Sequence, residues 1–399
     1  MVAGALVTAA CSGGSEAPDA TEVADATDAT EVTTTQPDPA FTEASTTAPE
    51  ERVPVEDGPL GGVCPATVVV QLDDLPSVEH GGLFRLLGAD ATIDDATQSV
   101  RAPLTRVDGT VEDVVLEIRS GGPAIRFVPA LDAMESDPSI TLTEASTPDV
   151  LLATERLETL SVVSLTARSH LGLLWDPATY PDVTGIEDLA ANGVEIHHSP
   201  GEPFIEFLEA TGPLTGAVTV DDYLGEPASF VAAAGRQAQQ ADGLVDPFLF
   251  PSLPQWARPV EFTDAADAGW ASADDALVVR ADQVADLDVC LGRLVPLVQE
   301  ATIDYARSPQ ATNVVIAGLR QRFNELTRSR PDLLDAGARA AVERGVFANG
   351  PDGALGSFDV ERLDRFLPEL SEVLGVDPVR TATDIVTNDY VRPGLGLGL

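Results

Sequence analysis

The chain has 399 residues, of which 44% are hydrophobic and 5% aromatic, and its formal net charge is −42. This acidity, with no basic stripe anywhere in the sequence, argues against nucleic acid as a partner. All 23 basic residues are arginine, so the composition excludes Schiff-base enzymes and P-loop nucleotidases, which both need a lysine amine.

The first ten residues are a short apolar run that ends in small residues, which is typical of the remnant of a secretory signal peptide. Cys11 follows directly and resembles the lipobox cysteine of bacterial lipoproteins, whose thiol is acylated. No basic residue precedes the run, and a frayed apolar N-terminus is the alternative. Acylation of Cys11 predicts a protein held at the outer face of the cell membrane by its lipid alone.

Residues 11–60 are rich in Thr, Ala, Pro and acidic residues, and only Arg52 opposes their negative charge. Such a segment cannot bury enough apolar surface to offset the entropy lost on ordering. We therefore predict a disordered, self-repelling tether between the lipid and the folded body. An acidic interaction tail is the alternative.

Residues 67–72 are an uncharged, β-branched run, the pattern of a strand buried on both faces of a parallel sheet. A polar loop with Asp74 and Glu79 follows, and His80 then precedes a short apolar helix over residues 83–87. In open α/β sheets ligands bind at such junctions, because free N–H groups and loop side chains converge outside the carboxyl end of the strand. The alternative is that Glu79 and His80 only cap the helix.

Strand-like and helical segments alternate along the rest of the chain, which predicts an α/β fold with a mostly parallel sheet. After a turn-rich stretch to residue 108, residues 111–118 are predicted as a strand that ends in Ser120, Gly121 and Gly122. Glycines at a strand end allow close approach of a ligand to the backbone, and a tight turn is the alternative.

Residues 160–175 are too long for one ordinary strand. We interpret them as a strand that leaves one sheet and enters a second lobe, with the polar Arg168, Ser169 and His170 at the crossing. Residues 269–279 are expected to bring the chain back.

The second lobe is predicted to repeat the strand, turn and helix pattern of the first. Its strand at residues 194–197 runs into His198 and Ser199, and residues 230–240 are predicted as a helix. The domain prediction is lobe 1 over residues 61–167 and 275–393, lobe 2 over residues 168–274, and a disordered tail over residues 394–399.

Several segments, in this order, resemble one known family: CPATVVVQLDD…EHGGLFRLLG, EIRSGGPAIRF, WDPATYPDVTGIEDL, YLGEPASFVAAAGRQAQQ, DVCLGRLVPLVQEATIDYARSPQATNVVI, FANGPDGALGSFDVERL and DIVTNDYV. Together they resemble the actinobacterial solute-binding lipoproteins of ABC importers, which are similar to the thiamine-pyrimidine, nitrate and sulfonate (taurine) binding group. The resemblance spans residues 61–392. It implies a two-lobed, periplasmic-binding-protein-like (type II) Venus-flytrap fold with two mixed sheets flanked by helices, no catalysis, and delivery of a nutrient to a permease.

The candidate ligand-binding residues lie on the predicted loops that face the space between the lobes. They are Asp74, Glu79, His80, Ser120, Gly121, Gly122, Arg168, Ser169, His198, Ser199, Glu226, Asp246 and Phe248. No catalytic residue and no cofactor is predicted. A metal site is not expected either, because His197 and His198 are adjacent on a strand and point to opposite faces.

Two cysteines remain once Cys11 is assigned to the lipid. In an exported protein this favours a disulfide between Cys64 and Cys290, and two free buried thiols are the alternative.

The sequence thus predicts an extracytoplasmic, monomeric receptor for a small-molecule nutrient, with an ABC permease as its partner. The carboxylates among the candidate residues favour an amine-bearing or neutral nitrogen heterocycle, such as a thiamine-pyrimidine precursor. Arg119, Arg126 and Arg168 would suit a sulfonate or nitrate instead. A cell-surface interaction protein, or an enzyme like the pyrimidine synthases, is the alternative from another class, and the absence of lysine disfavours the enzyme.

Overall fold

The computed structural model of the protein describes residues 57–398, in which two β-sheets carry helices on their faces. The predicted signal remnant, Cys11 and most of the tether lie outside the described residues. The strands, numbered in chain order, are β1 (Thr67–Gln71), β2 (Thr92–Asp94), β3 (Ser99–Thr105), β4 (Val111–Arg119), β5 (Leu142–Ala145), β6 (Thr159–Ser164), β7 (Leu171–Trp175), β8 (Glu195–His197), β9 (Val218–Val220), β10 (Ala238–Asp242), β11 (Glu261–Asp264) and β12 (Ala276–Arg280).

Short helices connect the strands, and longer ones follow the last strand. They are α1 (Gly81–Arg85), α2 (Ala130–Ser136), α3 (Thr147–Ala153), α4 (Ile186–Ala191), α5 (Pro203–Thr211), α6 (Ala228–Ala232), α7 (Asp246–Ser252), α8 (Val284–Arg307), α9 (Gln310–Arg322), α10 (Pro331–Glu343), α11 (Val360–Leu374) and α12 (Ala382–Ile385). Within the described part of the chain, none of these helices combines the length and the apolar character that crossing a bilayer requires.

Both sheets are mixed. The first has seven strands in the order β2-β3-β4-β1-β5-β12-β6, and the second has five in the order β11-β7-β10-β8-β9. In the first sheet β1 runs parallel to β4 and β5, whereas β12 is antiparallel to β5 and β6. In the second, β10 runs parallel to β8 and antiparallel to β7.

Strand β1 is central and covered on both faces, as its uncharged sequence predicts. Val68 and Val70 pack in one apolar cluster with residues of α8, while Val69 packs in the cluster on the other side of the sheet. These three side chains are at most 3% exposed. Burial on both faces explains why the strand shows no polar alternation.

The chain passes between the sheets twice. It leaves β6 in the first sheet and enters β7 in the second, and it returns from β11 to β12. The two passages are tied together, because Leu165 N donates to Asp275 O at 2.7 Å and Thr166 Oγ1 donates to Asp275 Oδ2 at 2.5 Å. Arg168 on the first passage also pairs with Asp267, close to the second, at 2.5 Å.

Helix α1 lies unusually close to α8, and the two glycines after His80 make this possible. A Cβ atom on Gly81 would stand 2.1 Å from the Tyr305 ring, and one on Gly82 would stand 2.0 Å from Thr302 Oγ1. The start of the first strand is fixed to the same helix by the predicted disulfide, Cys64–Cys290, whose Cα atoms are 4.7 Å apart.

Three sequence predictions differ from the observed elements. Residues 230–240 are not one helix: α6 stops at Ala232, Ala234 and Gly235 adopt positive φ angles, and the chain continues as β10 in the middle of the second sheet. The stretch before residue 108, predicted as turns, contains the hairpin β2–β3.

The third difference concerns the C-terminal residues 394–398. Leu397 is only 6% exposed and joins the first apolar cluster, and Asn349 bonds both its N–H and its carbonyl. The prediction of a disordered tail therefore does not hold for residues 394–398. Their low-complexity composition gives no sign that Leu395 and Leu397 pack against the first apolar cluster.

Candidate functional site

A cleft of about 580 Å³ opens where strand ends of the two sheets face each other. Asp73 and Asp74 follow β1, Ser146 follows β5, and Asp242 ends β10; all of them line the cleft. The volume lies in the range of small-molecule sites, and the position outside strand ends is the usual one in α/β folds.

The lining is strongly acidic. Two arginines and one histidine, Arg320, Arg328 and His170, are the basic residues among those that line the cleft in the described part of the chain. Eleven carboxyl groups face them: Asp73, Asp74, Glu79, Asp149, Glu202, Glu226, Asp242, Asp246, Asp274, Asp275 and Glu325.

Both arginines already have partners within the protein. Arg328 pairs with the buried Asp246 at 2.9 Å, and Arg320 donates from Nη1 to the carbonyl of Pro76 at 2.8 Å. They fix the edge of the cleft next to α7 and the loop after β1. A carboxylate therefore neutralises the Arg328 guanidinium, whereas Arg320 Nε is buried without a hydrogen-bond partner among the described residues.

His170 lies at the crossing between the sheets and between two carboxylates. Its Nδ1 is 3.1 Å from Asp242 Oδ1, and its Nε2 is 3.5 Å from Asp275 Oδ1. Burial opposes a charge on the ring, but Asp275 and Asp242 raise the pKa of His170 well above its usual value. A charged imidazolium therefore neutralises part of the acidic lining from within.

A second group of carboxyls has no basic hydrogen-bond partner among the described residues, although His170 lowers the pKa of one member, Asp274. Asp149 in the first turn of α3, Glu202 at the start of α5 and Asp274 on the returning passage all line the cleft, and the carboxyls of Asp274 and Asp149 both act on Glu202. Burial and the carboxyls of Asp274 and Asp149 raise the pKa of Glu202 to about 7, and burial and Asp275 raise that of Asp274. We call Asp149, Glu202 and Asp274 the carboxyl triad.

The hydrogen bonds of the carboxyl triad come from neutral groups. Gln240 Nε2 donates to Glu202 at 2.5 Å, Ser146 Oγ donates to Asp149 at 2.6 Å, and the indole N–H of Trp270 lies 3.3 Å from both oxygens of Asp274. Trp270 also lines the cleft beside the triad. The indole turns its N–H edge toward Asp274 and packs against Phe207 and Phe366, so the triad offers a ligand negative charge together with neutral hydrogen-bond partners.

Helix N-termini around the cleft carry the protein's own carboxylates. Ser146 and Asp149 form a capping box on α3, Glu202 precedes α5, and Asp246 is the first residue of α7. A helix N-terminus normally attracts an anion. Here that attraction is already satisfied by side chains, which disfavours a sulfonate or nitrate in the cleft.

The loop between β1 and α1 contributes two polar atoms that lack a partner. Ser77 Oγ and Glu79 Oε2 are buried and make no hydrogen bond to any part of the chain that the structure describes. Both residues line the cleft, and they are 5% and 7% exposed. Burial raises the pKa of Glu79 to about 7 against the influence of His80 and His170.

His80 has a structural position below this loop. The N–H of Ser77 donates to His80 Nδ1 at 3.0 Å, so the ring proton lies on Nε2, which is 2.8 Å from Glu144 Oε2. Glu144 itself is 0% exposed. Asp73, His80 and Glu144 offer possible metal-ligand atoms within 4.8 Å of one another, but a metal ion there would have to displace the His80–Glu144 hydrogen bonds.

Five of the thirteen candidate residues line the cleft, namely Asp74, Glu79, Ser199, Glu226 and Asp246. The remaining eight are not among its lining residues. Four of these eight, His80, Gly122, Ser169 and His198, are next in sequence to a lining residue.

Ser120, Gly121 and Gly122 support the cleft from behind. Gly121 N donates to Asp74 O at 2.9 Å and Gly122 N donates to Asp73 O at 2.8 Å. A Cβ atom on Gly121 would come within 2.1 Å of the Asp73 backbone. The glycines therefore allow close approach of another loop of the protein to the backbone.

Three further candidates do not line the cleft themselves but contact residues of the neighbouring segments. Arg168 pairs with Asp267, Ser169 Oγ accepts from Leu171 N at 3.2 Å, and His198 Nδ1 lies 2.9 Å from Ser199 O. Each of them holds a passage or loop in position.

Sequence reasoning missed most of the acidic lining. Asp274 and Asp275 precede β12, and a pair of acids before a buried strand was an available signal, like Asp73 and Asp74 after β1. Arg320, Glu325 and Arg328 come from the C-terminal helical region, where no local pattern links them to the cleft. They could be found only from the tertiary structure.

No protein-family model matches the chain, and the search of curated proteins found no match. Solved structures do match. One is a protein from Bordetella bronchiseptica RB50, with 14% identity, 82% of this chain and 96% of that chain covered, and a TM-score of 0.50. Others are the alkanesulfonate-binding protein from Xanthomonas axonopodis pv. citri bound to MOPS (13% identity, 81% and 99% covered, TM-score 0.49) and the periplasmic nitrate-binding protein from Synechocystis PCC 6803 (13%, 82% and 87%, 0.48).

At such identities the likeness is one of fold alone. Two mixed sheets flanked by helices, joined by two passages with a cleft between strand ends, make up the periplasmic-binding-protein-like architecture that the sequence predicts. The predicted fold class is therefore confirmed.

Proposed function

We propose that the protein is the extracytoplasmic substrate-binding component of an ABC importer. In this proposal a small organic nutrient binds in the cleft, the two lobes close over it, and a permease recognises the closed form. The lobes are those of the sequence prediction, residues 61–167 with 275–393 and residues 168–274. The observation that carries the proposal is the polar cleft that lies outside strand ends of both sheets.

Two exposed apolar side chains support closure. Phe127 and Leu224 both line the cleft, and they are 78% and 86% exposed. Single exposed apolar side chains are common on protein surfaces, but these two lie on the lining of one cleft, where a ligand or the opposite lobe would cover them on closure. Because Phe127 follows the first sheet's β4 and Leu224 lies beyond β9 of the second, closure of the cleft would bring them together or onto the ligand.

The composition of the cleft supports a basic nitrogen compound as the nutrient, whether a heterocycle or an amine. Eleven lining carboxyls against three basic groups make an anion unfavourable, and the helix N-termini that would attract one are occupied by side chains. A sulfonate or nitrate is therefore the less favourable nutrient.

Anchoring and catalysis complete the proposal. We propose that acylated Cys11 holds a monomeric protein at the outer face of the membrane, with residues 11–60 as a tether, and that the protein carries out no reaction. Incorporation of a labelled fatty acid in the natural host, lost in Cys11→Ser, tests the anchor. Retention of the label in that variant would contradict it.

A thermal-shift screen tests the binding function. The folded body is heated with pyrimidines, amines, flavins, sulfonates and nitrate, each at millimolar concentration. A solute that binds only the folded protein at 100 times its Kd stabilises it by about 2.7 kcal/mol, which shifts the unfolding temperature by several degrees. No shift with any class would contradict a solute receptor and favour a surface interaction protein.

A further inference from the structure

We propose that the substrate is an organic dication, a molecule with two protonated amino groups. One ammonium group binds at the carboxyl triad beside Trp270, and the other binds at Ser77 and Glu79. The inference rests on the proposed function and narrows its substrate class.

The first step is the contrast between carboxyls with and without internal partners. Asp246 has Arg328 at 2.9 Å, and Asp242 and Asp275 share His170. The carboxyl triad has no basic group in its hydrogen bonds among the described residues. The charges that act on Glu202 are those of Asp274 and Asp149, whereas His170 already offsets part of the charge of Asp274, so a cation from outside would gain most beside Glu202.

The second step is independent of the triad. Ser77 Oγ and Glu79 Oε2 are buried polar atoms without a partner, and both face the same cleft. Buried polar atoms are almost always hydrogen-bonded, and an exception asks for an absent partner. An ammonium group can donate to both oxygens, because it carries up to three N–H donors and needs no acceptor.

The third step is the number of charges. The triad and the Ser77–Glu79 loop lie on different elements: α3, α5 and the returning passage for the triad, and the loop after β1 for Ser77 and Glu79. We therefore assign a separate ammonium group to each. A dication satisfies both and also holds the two sheets together, because Glu202 precedes α5 of the second sheet while Glu79 follows β1 of the first.

A metal ion is the competing cation. Divalent ions prefer several oxygen ligands in one shell, and each carboxyl of the triad already accepts a hydrogen bond from a neutral side chain. The Asp73, His80 and Glu144 group is already bonded internally. The experiment therefore includes a metal as one arm.

Isothermal titration calorimetry at pH 8 on the folded body tests the inference, with 1,4-diaminobutane, its C3, C5 and C6 homologues and spermidine as dicationic or longer probes. The comparison probes are 1-aminobutane, 1,4-butanediol and ZnCl₂. We expect at least one diamine to bind with a 1:1 stoichiometry and about 100-fold more tightly than 1-aminobutane, with no heat from the diol.

Variants then separate the two ends of the ligand. Glu202→Gln and Asp274→Asn should each weaken the best diamine about tenfold or more, as should Glu79→Gln. The matched controls are Glu206→Gln, an exposed acid on the same helix as Glu202, and Asp282→Asn, an exposed acid after β12; both should leave affinity unchanged. Circular dichroism and the unfolding temperature confirm that each variant is folded.

Several results would overturn the inference. They are equal affinity for 1-aminobutane, tighter binding of Zn²⁺ than of any diamine, no loss of affinity in the three cleft variants, or no binding of any amine. If no amine binds but a solute of another class raises the unfolding temperature, the dication inference fails and the receptor function stands. If no solute of any class raises the unfolding temperature, both proposals fail.

Discussion

The acidic groups in and beneath the cleft fall into two regions that treat negative charge in opposite ways. In the region around His80, Glu144, His170 and Asp275, nearly every carboxylate has a donor or a counter-charge supplied by the fold. In the carboxyl triad the partners are neutral, and the pKa of Glu202 is raised to about 7. We infer from this difference that the acids around His80 stabilise the fold and that the carboxyl triad binds a ligand. Variants in each region test this inference.

The largest effect is expected from His80→Ala. Removing the imidazole leaves Glu144, which is 0% exposed, without its two shortest hydrogen bonds. Breaking a buried pair of this kind typically costs about 3 kcal/mol or more of unfolding free energy, measured by urea denaturation.

His197→Ala is the matched control for this prediction. His197 also contacts two carboxylates, Asp222 and Glu195, but those are more than half exposed. We expect a loss below about 1 kcal/mol. Equal losses in the two variants would show that the region around His80 is no more structural than a surface pair.

The pH dependence of binding follows next in size. Glu79 and Glu202 both have a pKa of about 7 in the empty protein, so both must lose a proton before they pair with ammonium groups. An alkylamine stays protonated across this range. Diamine affinity should therefore rise about a hundredfold from pH 6 to pH 8, about tenfold for each acid, with proton release seen by calorimetry in buffers of different ionisation enthalpy. A flat profile would mean that neither acid faces the ligand.

Glu202→Gln should make the empty protein more stable. The pKa of Glu202 rises from 4.5 in the unfolded chain to about 7 in the folded protein. Ionised Glu202 is therefore less favourable in the folded protein, and its contribution to the free energy of unfolding is lost as pH rises from 4.5 to 7. Replacing the acid removes that loss, so above pH 7 the variant should gain about 1 kcal/mol of unfolding free energy. A loss of stability at pH 8 would assign Glu202 to the structural region instead.

The smallest effects are expected at the rim. Phe127→Ala and Leu224→Ala should each weaken ligand binding by about two- to fivefold, because closure covers apolar surface that the empty protein leaves exposed. The unfolding temperature of the empty protein should not change. Leu152→Ala, at a residue 53% exposed outside the cleft lining, is the control and should change neither.

The sequence predicted the architecture better than the site. Hydrophobic patterning is local, so the buried strand at residues 67–72 and the crossing within residues 160–175 were recognisable from the chain alone. The hairpin before residue 108 and strand β10 were not, because turn-forming residues and a helix-like run hid their pairing.

At the site, loops after strands identified Asp74, Glu79 and Ser199, since their position follows from the topology. Asp149, Glu202 and Asp274 were missed because they are separated in sequence and become neighbours only through the two passages. Gly121 and Gly122 were assigned to a ligand, whereas they accommodate the loop of Asp73. A glycine in the sequence predicts a close contact with its backbone but does not identify the contacting group.

Native mass spectrometry gives the most direct test of the central claim, that the unpaired carboxyls of the cleft bind a cationic substrate. The folded body would be incubated at pH 8 with an equimolar mixture of 1,4-diaminobutane and its homologues, 1-aminobutane, taurine, a neutral pyrimidine and ZnCl₂. We expect one diamine to be retained at a ratio of one per protein, and the Glu202→Gln variant to retain no diamine. Retention of taurine, of zinc or of the monoamine in its place would contradict the account.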